Sequence, residues 1–367
     1  MPQTDILVIG AGIAGAAAAA ELAASGRRVV LLEAESQPGF HSTGRSAALW
    51  ILNYGPPDVR LLTSASRALF ERPPPGFAEH PLTRRRAVLF LAPEDQRAHL
   101  DRMVAEGEGL RPIPIEDARA RVPILRQDYA VAAAIEEDAF DIDVHALHHG
   151  YLRMLRAQGG TLATDARATA IARRDGAWRV TTRAGTFAAP IVVNAAGAWA
   201  DEVARLAGVA PLGLTPMRRT ALLVDAPAGH DPAEWPLVGD ADHTWYARPE
   251  ARRKIMLSPA DETPMPPCDV QPDEVDLALA IDRAQQALDL PVNRIEHRWA
   301  GLRTFTPDRS LAIGWAIDAE GFLWMAGQGG YGIQTAPAAA RLAAEIVLGR
   351  PPTLAEAARR CDPARFA

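Results

Sequence analysis

Residues 5–33 read DILVIGAGIAGAAAAAELAASGRRVVLLE, and this stretch decides the fold. A short β-branched run, Asp5 to Ile9, ends in Gly10-Ala-Gly-Ile-Ala-Gly15 and opens a helical stretch to about Ser25. Gly26 then releases the chain into a second strand from Arg28, closed by Glu33. Strand, helix and strand in this order form a βαβ unit. Gly10 permits the tight turn, Gly12 lets a pyrophosphate approach the backbone, and Gly15 lets helix pack on strand. The helix N-terminus offers unpaired N–H groups to phosphate oxygens. Glu33, 18 residues after Gly15, is placed to accept hydrogen bonds from an adenosine ribose, which disfavours NADP and leaves NAD and FAD.

The apolar run Ile6 to Ala20 imitates a signal peptide, but Asp5 precedes it in place of a basic segment and Glu21 closes it. No integral membrane segment follows, and the chain reads as cytoplasmic. Its 367 residues, 48% apolar and 23% charged, suit a folded protein of two lobes rather than disorder or a fibrous repeat. With 39 basic and 45 acidic residues the net charge is -6, without the basic excess that a nucleic-acid partner requires. Lys254 is the only lysine, in a charged stretch that reads as solvated, so Schiff-base chemistry is excluded. Cys268 and Cys361 form no CxxC pair, which argues against a disulfide framework or thiolate zinc site.

Further along, Asp58 to Arg72 and Pro93 to Glu108 have helical periodicity, with prolines 73–75 breaking the first and a lobe change near Pro81. A helix over Val144 to Gln158 takes Asp141 or Asp143 as its N-cap. The period then changes to two: Thr161 to Ile171, Trp178 to Thr182, Thr186 to Phe187 and Ile191 to Asn194 read as strands. Thr220 to Val224, Thr244 to Arg248 and Lys254 to Leu257 continue as a second, antiparallel sheet that would roof the first domain. The tail offers a strand, Phe322 to Ala326, a glycine-rich turn and a helix from Ile333 to Leu348, stopped by Gly349 and two prolines.

Two segments decide between the cofactors. His41-Ser-Thr-Gly-Arg-Ser46 is suited to wrapping a second side of a pyrophosphate, and Gly327-Gln-Gly-Gly-Tyr-Gly-Ile-Gln-Thr335 opens a helix as a second backbone anion site. A cofactor contacted at residues 10, 42 and 330 is large and extended, as FAD is.

With these segments, and with Asn194-Ala-Ala-Gly-Ala-Trp199, Trp299-Ala-Gly-Leu-Arg303 and Thr306-Pro-Asp308, nearly the whole chain resembles the D-amino-acid oxidase and glycine oxidase (DAO) family of FAD enzymes. Within the family the likeness extends to bacterial D-arginine dehydrogenases. It is carried by HSTGRSAA, Asn53-Tyr-Gly55, Glu79-His-Pro-Leu82, Asp141-Ile-Asp143, Met217-Arg-Arg219, WAGLR and GQGGYGIQT. The resemblance implies an α/β fold: a discontinuous Rossmann-like FAD-binding domain over 1–80, 140–200 and 305–367, and an α+β substrate domain with an antiparallel sheet over 81–139 and 201–304. It implies cofactor contact at Gly10, Gly12, Ile13, Ala14, Gly15, Glu33 and Ala34, then Ser42, Thr43, Arg45, Ser46 and Ala47, then Ala168, Gly197 and Gly301. The last contacts are Gly329, Gly330, Tyr331, Gly332, Ile333, Gln334 and Thr335. No cysteine lies between Arg294 and Gly332, where covalent relatives attach flavin, so FAD is expected to be noncovalent.

The implied chemistry is oxidation of a Cα–N bond, with hydride passing to flavin and the imino acid hydrolysing in water. Such a site must hold the substrate carboxylate rigidly, and a bidentate arginine supplies a planar fork. Arg303 and Arg219 match the family's carboxylate clamp, and Tyr54 and Tyr246 its hydroxyl partners. Arg218 points the other way on the same strand. His145, His148 and His149 have ligand-like spacing, but no carboxylate or cysteine pair accompanies them, and they read as a solvated helix face rather than a metal site. Trp199, Trp299 and Trp315 read as core.

The substrate pocket is assigned to Leu49, Ile51, Arg86 and Gln334. Leu49 and Ile51 stand where D-arginine dehydrogenases carry histidine and threonine. After Glu79-His-Pro-Leu82 the stretch Thr83-Arg-Arg-Arg-Ala-Val88 holds no carboxylate for a guanidinium. The expected activity is therefore that of a D-amino-acid dehydrogenase or oxidase for non-basic side chains, with Arg86 facing an acidic substrate as the variant reading. The rivals are a 2-hydroxyacid dehydrogenase of the same fold, which needs a base such as histidine, and a non-catalytic flavin-binding relay subunit. No motif marks the electron acceptor or the oligomeric state.

Overall fold

The computed structural model describes residues 4–367. Strand Ile6–Ile9 lies at the middle of a six-stranded sheet, with Val29–Leu32 and Thr161–Ala163 on one side and Ile191–Asn194, Phe322–Ala326 and Ala312–Trp315 on the other. All pairings are parallel except that of Ala312–Trp315 with Phe322–Ala326. Strands buried on both faces need helices above and below. The helix Ile13–Ala24 provides one layer, clasped between the helices Val144–Ala157 and Gly332–Val347. The alanines Ala16 to Ala20 are fully buried, and their small side chains permit that close approach.

Gly15 sets the tightest contact of this layer. A Cβ there would lie 1.8 Å from the Gly10 carbonyl oxygen and 3.2 Å from the Ala195 methyl. The nearer neighbour, Gly10, is backbone, which cannot swing aside.

The second sheet has nine strands. Val88–Ala92, Leu110–Ile113 and Ala132–Glu136 come from before the helix Val144–Ala157, and Thr215–Asp225, Leu237–Asp240, Tyr246–Glu250, Lys254–Ser258, Thr263–Pro264 and His297–Phe305 from after it. Its pairings are antiparallel, with one exception: Leu237–Asp240 runs parallel to Val88–Ala92. Helix Glu274–Ala287 packs behind it, capped by Asp273 accepting from the Val275 N–H. A small sheet of Leu49–Trp50, Phe140–Ile142 and Thr83–Arg85 joins the two bodies. No described helix is long and apolar enough to cross a membrane.

Several expectations are corrected. Thr161 to Ile171 is not one strand: Glu33 captures the backbone at 163 and 166, and Asp165 turns through a φ of 51°. Ala170–Arg174 then begins a separate three-stranded meander. Asp143, not Asp141, caps the following helix, accepting from Ala146 N–H at 2.8 Å. Asp141 instead pairs with Arg86 and Arg248. His148 is not solvated: it is 3% exposed and its Nε2 is 2.9 Å from the Ala11 carbonyl. Strands Val88–Ala92 and Ala132–Glu136 and helix Glu274–Ala287 had no reading, because VLFLA and AAAIE lack alternation and the helix is alanine-rich without a clean apolar stripe.

Gly15→Ala is expected to destabilise the protein by on the order of 3 kcal/mol, since the added methyl meets fixed backbone. A melting temperature equal to wild type would show that the helix is less tightly seated than described.

Candidate active site

Between the two sheets runs a cavity of about 1180 Å³, from the Gly10–Gly12 turn and Glu33 at one end to Arg303 and Tyr246 at the other. Its volume exceeds the roughly 300–1,000 Å³ usual for a drug-sized ligand, leaving room for an extended cofactor and a substrate. The residues assigned above to cofactor contact all line it, apart from Gly15 and Thr335. Gly15 packs helix on strand, and the Thr335 hydroxyl is spent on the Tyr331 carbonyl within the last long helix.

At the first end, Gly12 has no side chain to cap its helix, and only Ile13 of the first turn finds a side-chain acceptor, Thr43 Oγ1 at 3.0 Å. The remaining donors are available to an anion. Glu33 Oε2 accepts from Ala11 N–H and Oε1 from Glu35 N–H, which fixes the carboxylate at the cavity wall with lone pairs to spare. A Cβ on Gly12 would come within 3.2 Å of Thr43 Oγ1 and crowd the turn. These features fit the dinucleotide half of FAD.

The 41–46 segment does more than line the wall. Arg45 donates to the carbonyls of Val270 and Ala300 and pairs with Asp269, and Ser42 donates to the Leu302 carbonyl. Its arginine thus staples one sheet system to the other rather than reaching for phosphate. Trp199 and Trp299 also line the cavity, contrary to their reading as core, with Trp299 Nε1 bonded to the Arg45 carbonyl. Trp315 does not line it.

At the second end, strand His297–Phe305 delivers Arg303 and its partner strand Thr215–Asp225 delivers Arg219. Arg303 Nη1 donates to the Tyr54 hydroxyl at 3.0 Å, and no carboxylate pairs with it among the described residues. Burial opposes the guanidinium charge, yet the facing Tyr54 and Tyr246 hydroxyls raise its pKa above the ordinary arginine value. Burial would push the Tyr246 hydroxyl up, but Arg303 and then Arg219 outweigh it and its pKa falls below the usual phenol range. Arg219 Nε donates to the Asp261 carbonyl and Nη2 to Glu262. Arg218 turns to the other face and pairs with Asp276, Asp261 and Asp273.

The sequence had not marked Glu262, Arg309 or His243. Arg309, left-handed at φ 66°, lies 3.9 Å over the Phe305 ring and shares Glu262 with Arg219. Its place directly after Thr306-Pro-Asp308 was the available signal. His243, also left-handed at 54°, meets the rings of Tyr54 and Phe90 edge-on, and burial holds its pKa below the usual imidazole value. Glu262 answers Arg219 and Arg309, whereas no carboxylate among the described residues pairs with Arg303, so that cation is open to an anion.

Part of the wall is apolar. Leu49, Val88, Phe90 and Leu110 pack together with Ile51 beside them, and all five border the cavity. Gln334 is at the wall, but its amide is engaged by the Ile51 backbone and Thr63. Arg86 is not at the wall: its guanidinium is held by Asp141 and the carbonyls of Ala233 and Trp235. The variant reading of Arg86 facing an acidic substrate has no support in this geometry.

Gly330 leaves the space in which the clamp forms, because a Cβ there would lie 2.9 Å from Arg303 Nη1 and 3.1 Å from the Tyr54 hydroxyl. Those atoms are far ends of side chains and can move, at the cost of the clamp's shape. Gly330→Ala is therefore expected to fold with a near-normal melting temperature and to bind a small carboxylate roughly ten-fold more weakly. Unaltered carboxylate affinity in a titration would remove Gly330 from this role.

Comparison with known proteins agrees with this picture. The chain is 28% identical to the glycine oxidase of Pseudomonas aeruginosa over 385 aligned positions, covering 99% of this chain and 98% of that one. Its fold matches the crystal structure of L-proline dehydrogenase from P. horikoshii with a TM-score of 0.85, at 23% identity and over 99% and 98% of the two chains. It also matches that of glycine oxidase from Geobacillus kaustophilus with a TM-score of 0.82, at 22% identity and over 96% and 97%. The family profile of FAD dependent oxidoreductases (DAO) spans residues 5–346. The chain, an FAD-dependent enzyme of amino-acid or related oxidation, belongs to the DAO family of FAD dependent oxidoreductases.

Proposed function

We propose that this enzyme oxidises the Cα–N bond of α-amino acids with uncharged side chains, of the D series, to the imino acid, which water converts to the 2-oxo acid and ammonia. The observation that carries the reading is the half-buried Arg303 guanidinium at the cavity wall, with only the Tyr54 hydroxyl as hydrogen-bond partner. A cation drawn from bulk water without an anion is costly, and a substrate carboxylate completes it. The D series is supported by the motifs shared with D-arginine dehydrogenases, and the uncharged side chain by the Leu49, Ile51 and Phe90 wall.

The residues fit a flavin held by the lobe of 1–80, 140–200 and 305–367, over which the substrate lobe of 81–139 and 201–304 closes. Bound there, FAD supplies the acceptor for two electrons and a proton. The chain supplies position. Arg303 and Tyr54 grip the carboxylate, Tyr246 and Arg219 close around it, and the apolar wall excludes water from the side chain. With the carboxylate fixed at two points and the side chain held by the apolar wall, the α-hydrogen is confined to one direction.

Arg303→Met is expected to keep FAD but lose substrate capture, because the carboxylate would forfeit its charge partner at roughly 3–5 kcal/mol, or ~10²–10⁴-fold in kcat/KM. Unchanged anaerobic flavin reduction in this variant would remove Arg303 from the site. Among substrates, D-leucine, D-methionine, D-phenylalanine or D-proline should reduce the flavin faster than D-arginine, D-glutamate or the L enantiomers. Fastest reduction by D-arginine or by an L-amino acid refutes the specificity.

The imidazole of His243 beside Tyr54, its pKa held below the usual imidazole value, favours a second reading, oxidation of a 2-hydroxy acid, which requires a base for the hydroxyl proton. Faster reduction by 2-hydroxy acids than by amino acids would select it. Finally, acid precipitation should release intact FAD into the supernatant, since Cys268 and Cys361 are the only thiols and neither lines the cavity. Yellow colour retained in the pellet would mean a covalent link.

A further inference from the structure

Glu136 ends the strand Ala132–Glu136 of the substrate lobe and is 2% exposed. No cation pairs with it among the described residues. Its carboxylate is spent on the turn that carries Tyr54: Oε1 accepts from the Leu52 N–H at 2.7 Å and Oε2 from Asn53 Nδ2 at 2.8 Å. Asn53 is tied to the same lobe twice more, donating to the Glu108 carbonyl at 2.9 Å and accepting from the Glu108 N–H at 2.8 Å. The next residue is Tyr54, whose N–H closes the turn on the Ile51 carbonyl and whose hydroxyl meets Arg303.

A buried carboxylate without a cation is an expensive way to hold a loop. What it offers is two acceptor oxygens facing two N–H donors, a pattern that a neutral amide or a protonated carboxyl cannot match, since either turns one donor against another.

We propose that Glu136 is a positioning residue for the carboxylate clamp: through the Leu52–Asn53 turn it sets where the Tyr54 hydroxyl meets Arg303, and with it the affinity for the substrate carboxylate. This rests on the clamp reading given above. The ionised form does the positioning. Burial, the leading cause, holds the Glu136 carboxyl above the ordinary glutamate range, Asn53 and the Leu52 N–H oppose the rise, and Asp138 adds to it. Asp138 is itself paired with Arg67 and Arg85, and Glu137 with Arg111 and Arg121 at the surface. Val88 and Leu110, across the ladder from Glu136, carry no charge. As pH falls through this raised value the turn loosens and carboxylate affinity falls.

The test uses the FAD-loaded protein and trifluoroacetate, an anion charged at every pH used, with binding followed by fluorine NMR and FAD content and melting temperature recorded alongside. Wild type is expected to bind it with an affinity that declines on the acid side. Glu136→Gln, which copies the protonated form, should bind roughly ten-fold more weakly at neutral pH and lack the acid-side decline. Equal affinity and an unchanged pH profile in Glu136→Gln overturn this inference and leave the clamp standing. If wild type binds trifluoroacetate no better than Arg303→Met does, the clamp itself fails and the inference with it. Should Glu136→Gln not fold, Asn53→Ala cuts the same tether from the half-buried side, and wild-type affinity there overturns the proposal equally.

Discussion

A half-buried guanidinium without a carboxylate partner, at the seam of two lobes, is the constraint around which the site is arranged. Arg303 comes from the nine-stranded sheet, and Tyr54 comes from a turn between the small junction sheet and the helix Pro57–Glu71. Neither lobe satisfies that cation alone. A hydroxyl partner leaves most of its charge unanswered, and low dielectric makes the unanswered part expensive. The molecule is therefore poised for an anion of carboxylate size, and its binding energy is available for orientation.

Around this cation the backbone is held in conformations that side chains other than glycine rarely adopt. His243, Ala260 and Arg309, all at the cavity wall, have φ values of 54°, 52° and 66°. Each is fixed by its surroundings: Asp240 organises the turn before Thr244, Asp261 binds Thr220, and Glu262 grips Arg309. Strain of this kind persists where neighbours over-determine it, and it collects where geometry has to be exact for chemistry rather than for folding.

The lobes meet through polar staples and through small shared apolar clusters, Leu49 with Val88 and Phe90, and Ala198 with Val270 and Leu302. Arg45 and Ser42 reach into carbonyls of the second lobe, while Glu136 reaches back to the first. The separate apolar clusters behind each sheet keep the two bodies stiff.

The cofactor end was legible in the sequence because its determinants are local. A glycine turn, a helix start and an acidic residue after the next strand lie within 29 residues, and backbone sterics there leave few alternatives. The arginines and tyrosines of the clamp were legible only through family likeness, for they lie 54, 219, 246 and 303 residues into the chain with no spacing to connect them. Other features depended on tertiary structure. Arg86 looked free beside two other arginines until Asp141 and two carbonyls closed on it. Arg45 looked like a phosphate ligand until the second lobe offered carbonyls. His148 looked solvated on its helix until the Gly10–Gly12 turn covered it. A sequence determines conformations set by neighbours along the chain, whereas the partner of a charge is whichever group folding brings within reach, and that is decided only when the lobes close.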